Sequence, residues 1–191
     1  MNFSNHKIQK AFDWLTRENG EGFLMPDEHC PTRDIFQARL EKMNILLKND
    51  QQLNEVASLV VIIAGEIGNN VFDHNLGNWR DVSGAYYEYD IGARYVVIAD
   101  RGLGVQATLK RVRPDIHNDC EALTIAFKEV VTGRAPEKRG NGLKLVEKTV
   151  LAQSMKLDVY SGGGHYVIED GQTDCSSQGN NYNGVIAVLK F

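Results

Sequence analysis

The chain has 191 residues, 42% of them hydrophobic and 24% charged, with a formal net charge of −4. That length suits one domain, or one domain with a modest extension, and can bury a core without disulfides or metals. The mild acidity provides no global basic field for nucleic acid or an anionic membrane, although a local cluster can still hold a small anion.

The three cysteines, Cys30, Cys120 and Cys175, are odd in number and widely spaced. They suggest no disulfide framework, and a reducing cytoplasm is the simpler expectation. The opening run MNFSNHKIQKAFDW lacks the apolar stretch of a secretory signal. The longest apolar run falls well short of the roughly 20 residues that cross a bilayer.

In chain order, residues 1–49 read as a helical extension interrupted by the turn-rich patch GEGFLMPDEHCPTRD. Its second helix is IFQARLEKMNILL, with apolar residues at Ile35, Leu40, Met43, Ile45, Leu46 and Leu47. A dimer contact, cover for a sheet and docking of a partner are three uses open to this extension. A long helix is expected from about Gln52 to His74, with Asp50 as its N-cap. AYYEYD and ARYVVIAD, joined by IG, predict a β-hairpin whose second strand is central. CEALTIAFKEVV and GLKLVEKTVLAQ predict two more helices, and LDVYSGGGHYVIED with GVIAVLKF predicts three strands. Gly162, Gly163 and Gly164 are read as a hairpin turn. The order predicts an α+β fold with a mixed or antiparallel sheet.

Three stretches carry chemistry. EIGNNVFDH continues the apolar run ASLVVIIAG. At about 100° per residue, Asn70, Asp73 and His74 fall roughly 40°, −20° and 80° from Glu66, making one polar patch on an apolar helix. A solvated helix end would show the same pattern. However, adjacent asparagines in mid-helix weaken a helix without a packing return. An asparagine carbonyl with nearby carboxylates suits Mg²⁺, and Glu66 suits a general base.

DRGLGV ends the central strand: a buried Asp100 needs a donor, which an exocyclic amine would supply, and Gly102 and Gly104 let backbone approach a ligand. RGNGLKLV puts Gly140 and Gly142 at a helix start, where free N–H groups favour an anion, beside Lys138 and Arg139. Each of these two stretches, alone, is also compatible with an ordinary turn or helix entry. Neither is a dinucleotide fingerprint or a Walker loop.

Together and in this order, EIGNNVFDH, DRGLGV and RGNGL resemble the asparagine, Asp-x-Gly-x-Gly and Gly-x-Gly-Leu boxes of the GHKL ATPases. That superfamily comprises histidine kinases, gyrase, mismatch-repair proteins and heat-shock chaperones. The His eight residues after Glu66 resembles the anti-sigma-factor serine kinases most.

The resemblance covers roughly residues 50–191 and implies a Bergerat-type two-layer α/β sandwich, its sheet covered on one face by helices. It implies ATP and Mg²⁺ as ligands, Glu66 as catalytic base and Asn70 as the metal ligand. Asp100 would hold the adenine amine, and Asp73, Gly102, Gly104, Lys138, Arg139, Gly140, Gly142 and Leu143 would line the nucleotide site. Residues 105–138 would form a mobile ATP lid. A regulatory partner protein and a homodimer are compatible with it, whereas nucleic acid and membrane are not expected.

Two departures stand out. Val185 occupies the place where many members have a threonine beside adenine, and no histidine has the followers of a phospho-acceptor site. His117 with Cys120, even with His29 and Cys30, lacks the tight pairing of a structural zinc site. Trp79 is expected to pack rather than stack on a base.

Overall fold

A computed structural model describes residues 5–129 and 141–191. Its five strands form one open antiparallel sheet in the order β1 (His29–Cys30), β2 (Ala85–Asp90), β3 (Tyr95–Asp100), β5 (Gln172–Lys190), β4 (Lys156–Glu169). Six helices are described: α1 (His6–Thr16), α2 (Arg33–Asn49), α3 (Ala57–Asn75), α4 (Val105–Leu109), α5 (Asp119–Lys128) and α6 (Gly142–Ala152). Among the described residues no helix is long and apolar enough to cross a membrane.

β3 is buried along its whole length, as a central strand should be. Its side chains alternate between two cores. Val96 and Ile98 enter the larger one with residues of α2, α3, α5 and α6. Val97 and Ala99 enter a second one built from Ile8, Phe12, Trp14 and Leu15 of α1. The sheet is therefore covered on both faces, not on one as the resemblance implied. The helical period of the first residues pointed to a helix but could not say which face it would cover.

The expected helix from Gln52 begins five residues later. Asp50 ends α2 and its carboxylate accepts from Gln52 N at 2.8 Å in a turn, so α3 starts at Ala57 with no side-chain cap. The β2–β3 loop spans Ile91 to Arg94, longer than IG, with Arg94 at φ 55°.

The glycines 162–164 do reverse the chain, but inside a strand that keeps its partner. β4 pairs with β5 on both sides of them, with register shifts at Ser161/Gly162 and Gly162/Gly164. Thirteen residues of straight strand would span about 43 Å. Instead Lys156 Nζ reaches Glu169 Oε2 at 2.7 Å and His165 Nε2 lies 2.9 Å from Asp158 Oδ1. The β4–β5 ribbon thus folds back on itself, and its true turn is at Asp170–Gly171.

The outer half of that ribbon packs on α5. Phe127 stacks on Tyr166 with centroids 4.8 Å apart, Gly163 N donates to Asp119 Oδ2 at 2.9 Å, and Cys120 is disulfide-bonded to Cys175. The disulfide corrects the expectation of unpaired cysteines: a separation of 55 residues hides a pairing that only the folded ribbon creates. It also removes Cys120 from any metal reading. For a loop of this length the chain-entropy estimate gives about 4 kcal/mol of stabilisation. Reduction is accordingly expected to lower the guanidinium unfolding midpoint, and equal midpoints for oxidised and reduced protein would refute that.

Candidate functional site

Helix α3 carries two glycines on the side facing α2. A Cβ on Gly68 would sit 2.0 Å from the Phe36 ring, and one on Gly65 would sit 3.3 Å from Leu40. The helix-weakening cost of glycine is thereby exchanged for close packing, with Phe36 fully buried. This fixes the opposite face, where Glu66, Asn70, Asp73 and His74 line a cavity of about 1060 Å³.

Both asparagines line the cavity, but their partners differ. Asn69 accepts a hydrogen bond from Gln37 of α2 at 2.8 Å. The Asn70 side chain, on the same cavity wall, has no hydrogen-bond partner among the described residues. Asp73 pairs with Arg33 at 2.5 Å, so its carboxylate is engaged with a neighbouring cation at the cavity wall. The sequence pattern gave no hint of that partner.

The alternation of β3 sends Asp100 to the same side as Ile98, into the cavity. It is 2% exposed, and both of its donors, Gly102 N at 2.8 Å and Asn75 Nδ2 at 3.0 Å, bond to Oδ1. Oδ2 has no donor among the described residues. Burial pushes the carboxyl up to about 7, against the downward pull of its two hydrogen bonds. Ile98, Leu123, Phe127, Val159, Val185 and Ala187 supply apolar walls. Val185 is the cross-strand partner of Asp100 and lines the same cavity with an apolar side chain.

No family model matches the chain, and no curated protein does. The geometry of the site carries the functional argument.

Arg101 points to the other face of the sheet and is fully buried. It donates to Asp81 from Nε and Nη2 at 2.6 Å, and to the backbone carbonyls of Trp14, Arg17 and Glu18 at the end of α1. Burial would raise the Asp81 carboxyl, but the Arg101 hydrogen bonds and two backbone N–H groups hold it down to about 2. One dipeptide, Asp100–Arg101, therefore joins the cavity to the N-terminal helix through the sheet.

The glycines act differently from one another. Gly104 adopts φ +80° to open α4, where a side chain is disfavoured. A Cβ on Gly102 would meet Asn75 Oδ1 at 1.9 Å, so this glycine makes room for the Asn75 side chain. A Cβ on Gly142 would meet Glu66 Oε2 at 2.2 Å, which puts Glu66 against the first turn of α6. That helix has no side-chain cap and no acid in its first turn, and Asn141, Gly142 and Leu143 at its start help to line the cavity. Lys138, Arg139 and Gly140 lie outside the described residues.

Residues 105–129 of the expected lid hold α4 and α5, and α5 buries Ala122, Leu123, Ile125 and Phe127. The Cys120–Cys175 disulfide ties the start of α5 to β5; residues 130–140 of the expected lid lie outside the described residues. Trp79 packs against the main core.

Chemically, the site is a cavity with apolar residues and one carboxylate oxygen, Asp100 Oδ2, that lacks a donor among the described residues; Glu66, Asn70 and the first residues of α6 add polar groups to its lining. Sequence reasoning missed Asn75. It lies about 180° around the helix from Glu66, in phase with the buried Ala64, Gly68 and Val71, and from that buried face it reaches Asp100 at the end of β3.

Proposed function

We propose that the protein is a Mg-ATP-binding regulatory domain of GHKL type that turns ATP over. The preferred form is a serine/threonine protein kinase resembling anti-sigma-factor kinases, with simple ATP hydrolysis as the other form. The observation that carries this is Asp100, a nearly buried carboxylate lining the cavity whose two donors among the described residues both bond to Oδ1, leaving Oδ2 for a ligand. The adenine amine is the donor it lacks, and the apolar residues of the lining suit the ring. The antiparallel α+β architecture agrees with a Bergerat fold to which α1 is added on the second face.

Asn70 and the open end of α6 are suited to Mg²⁺ and phosphate respectively. Mg²⁺, when bound, neutralises charge on the phosphates, leaving positioning as the protein's main task. Glu66 takes the proton from the attacking hydroxyl, which belongs to a serine or threonine of a regulatory partner in the kinase form and to water in the ATPase form.

Calorimetric titration with Mg-ATP and Mg-ITP tests the reading, because inosine replaces the amine by a carbonyl oxygen facing Asp100. ITP is expected to bind on the order of 100-fold more weakly or worse. No binding of ATP, or equal affinity for both, overturns the proposal.

A further inference from the structure

We propose that Asn75 is the residue that positions Asp100 for its ligand, holding Oδ1 so that Oδ2 alone is offered to a donor. The inference rests on the adenine-amine reading only for the identity of the ligand; the Asn75–Asp100 contact itself does not depend on it.

Asn75 is 4% exposed at the C-terminal end of α3, and its amide is used at both ends. Nδ2 donates to Asp100 Oδ1 at 3.0 Å, and Oδ1 accepts from Leu103 N at 3.4 Å. The orientation of the amide is dictated by these partners, since a carboxylate needs a donor and an N–H needs an acceptor. Gly102 is the steric counterpart: any Cβ there would occupy the Asn75 amide. Asn75 and Gly102 are therefore a matched pair that ties the end of the asparagine-box helix to the turn after β3.

Two consequences follow from elementary hydrogen bonding. Fixing Oδ1 with two donors sets the carboxylate plane, so the direction in which Oδ2 accepts is decided before any ligand arrives. A neutral donor on a buried carboxylate also favours its charged form, the form that an incoming amine requires. An aspartate at position 75 would do neither, because it brings a like charge and no donor. A leucine keeps the volume and removes the donor to Asp100 Oδ1 together with the acceptor of Leu103 N, without adding a charge.

The test begins with the ligand-free protein. Carbon-13 labelling of aspartate carboxyls gives the Asp100 midpoint, which in Asn75→Leu is expected to rise by about one pH unit or more. An unchanged midpoint overturns the proposal. If the leucine variant fails to fold, the wild type decides: the Asn75 side-chain amide resonances must titrate with the Asp100 carboxyl, and amide signals indifferent to that midpoint overturn it.

With Mg-ATP, Asn75→Leu is expected to bind about tenfold or more weakly near neutral pH. The deficit should shrink at higher pH as the carboxylate is forced to ionise; a deficit independent of pH would mean a merely structural role and would also overturn the positioning assignment. Failure of wild type to bind ATP would sink the ATP reading alone, because the ligand-free titrations judge Asn75 separately.

Discussion

Asp100→Asn is expected to weaken ATP binding on the order of 100-fold or more, while making the free protein more stable near pH 8. The loss arises because the asparagine amide would present a donor or a weaker acceptor where the ligand amine needs a carboxylate. The gain arises from the cost of burying the charge. A folded-state value of about 7, set against 3.8 for an unperturbed aspartate, corresponds to roughly 4 kcal/mol. Because the folded value is raised, its stabilising contribution is fully present below the unfolded value and is lost as pH rises through about 7. The advantage of Asp100→Asn in melting temperature should therefore be largest near pH 8 and shrink toward pH 4.

Binding has the opposite pH dependence, since an amine donates to the ionised carboxylate. ATP affinity of the wild type should rise between about pH 6 and pH 8, with proton release on binding below neutrality. Calorimetry in buffers of different ionisation enthalpy would measure that release. Undiminished ATP affinity in the variant, or an affinity that falls with rising pH in the wild type, would contradict the role given to Asp100. Such a site trades stability for an acceptor kept ready for its ligand.

What was legible in the chain depended on the range of the interaction. The β2–β3 pair, the burial of β3 and the arrival of Asp100 at a strand end follow from alternation and turn residues, which are local. The preference for Asn70 over Asn69 followed from helix geometry, and the Gln37 contact gives Asn69 a separate partner. Gly65 and Gly68 were not interpretable alone, because their meaning lies in Phe36 and Leu40 of another helix. The Cys120–Cys175 bond, the Arg33–Asp73 pair and the Arg101 anchor likewise join residues whose proximity is created by the fold. The glycines 162–164 illustrate the intermediate case. Their composition correctly suggested a reversal, but composition cannot tell a hairpin turn from a ribbon that bends while its ladder continues.

Glu66→Gln should separate turnover from binding. The carboxylate has no hydrogen-bond partner among the described residues and lines the cavity beside Asn70, so a proton acceptor is available there. Its contact with the start of α6 allows another role, in which the negative charge only complements the positive helix end. Glutamine keeps the size and most of the polarity but loses both charge and basicity. If Glu66 is the base, phosphate release or phosphoprotein formation should fall by about 10²–10⁴-fold while Mg-ATP affinity changes little. If it serves only α6, the variant should lose at most about 1 kcal/mol of stability and keep its turnover. Measuring denaturation alongside single-turnover kinetics distinguishes these results. A wild type that binds ATP without ever turning it over would instead make the domain a nucleotide-dependent switch, with Glu66 retained for the helix and not for chemistry.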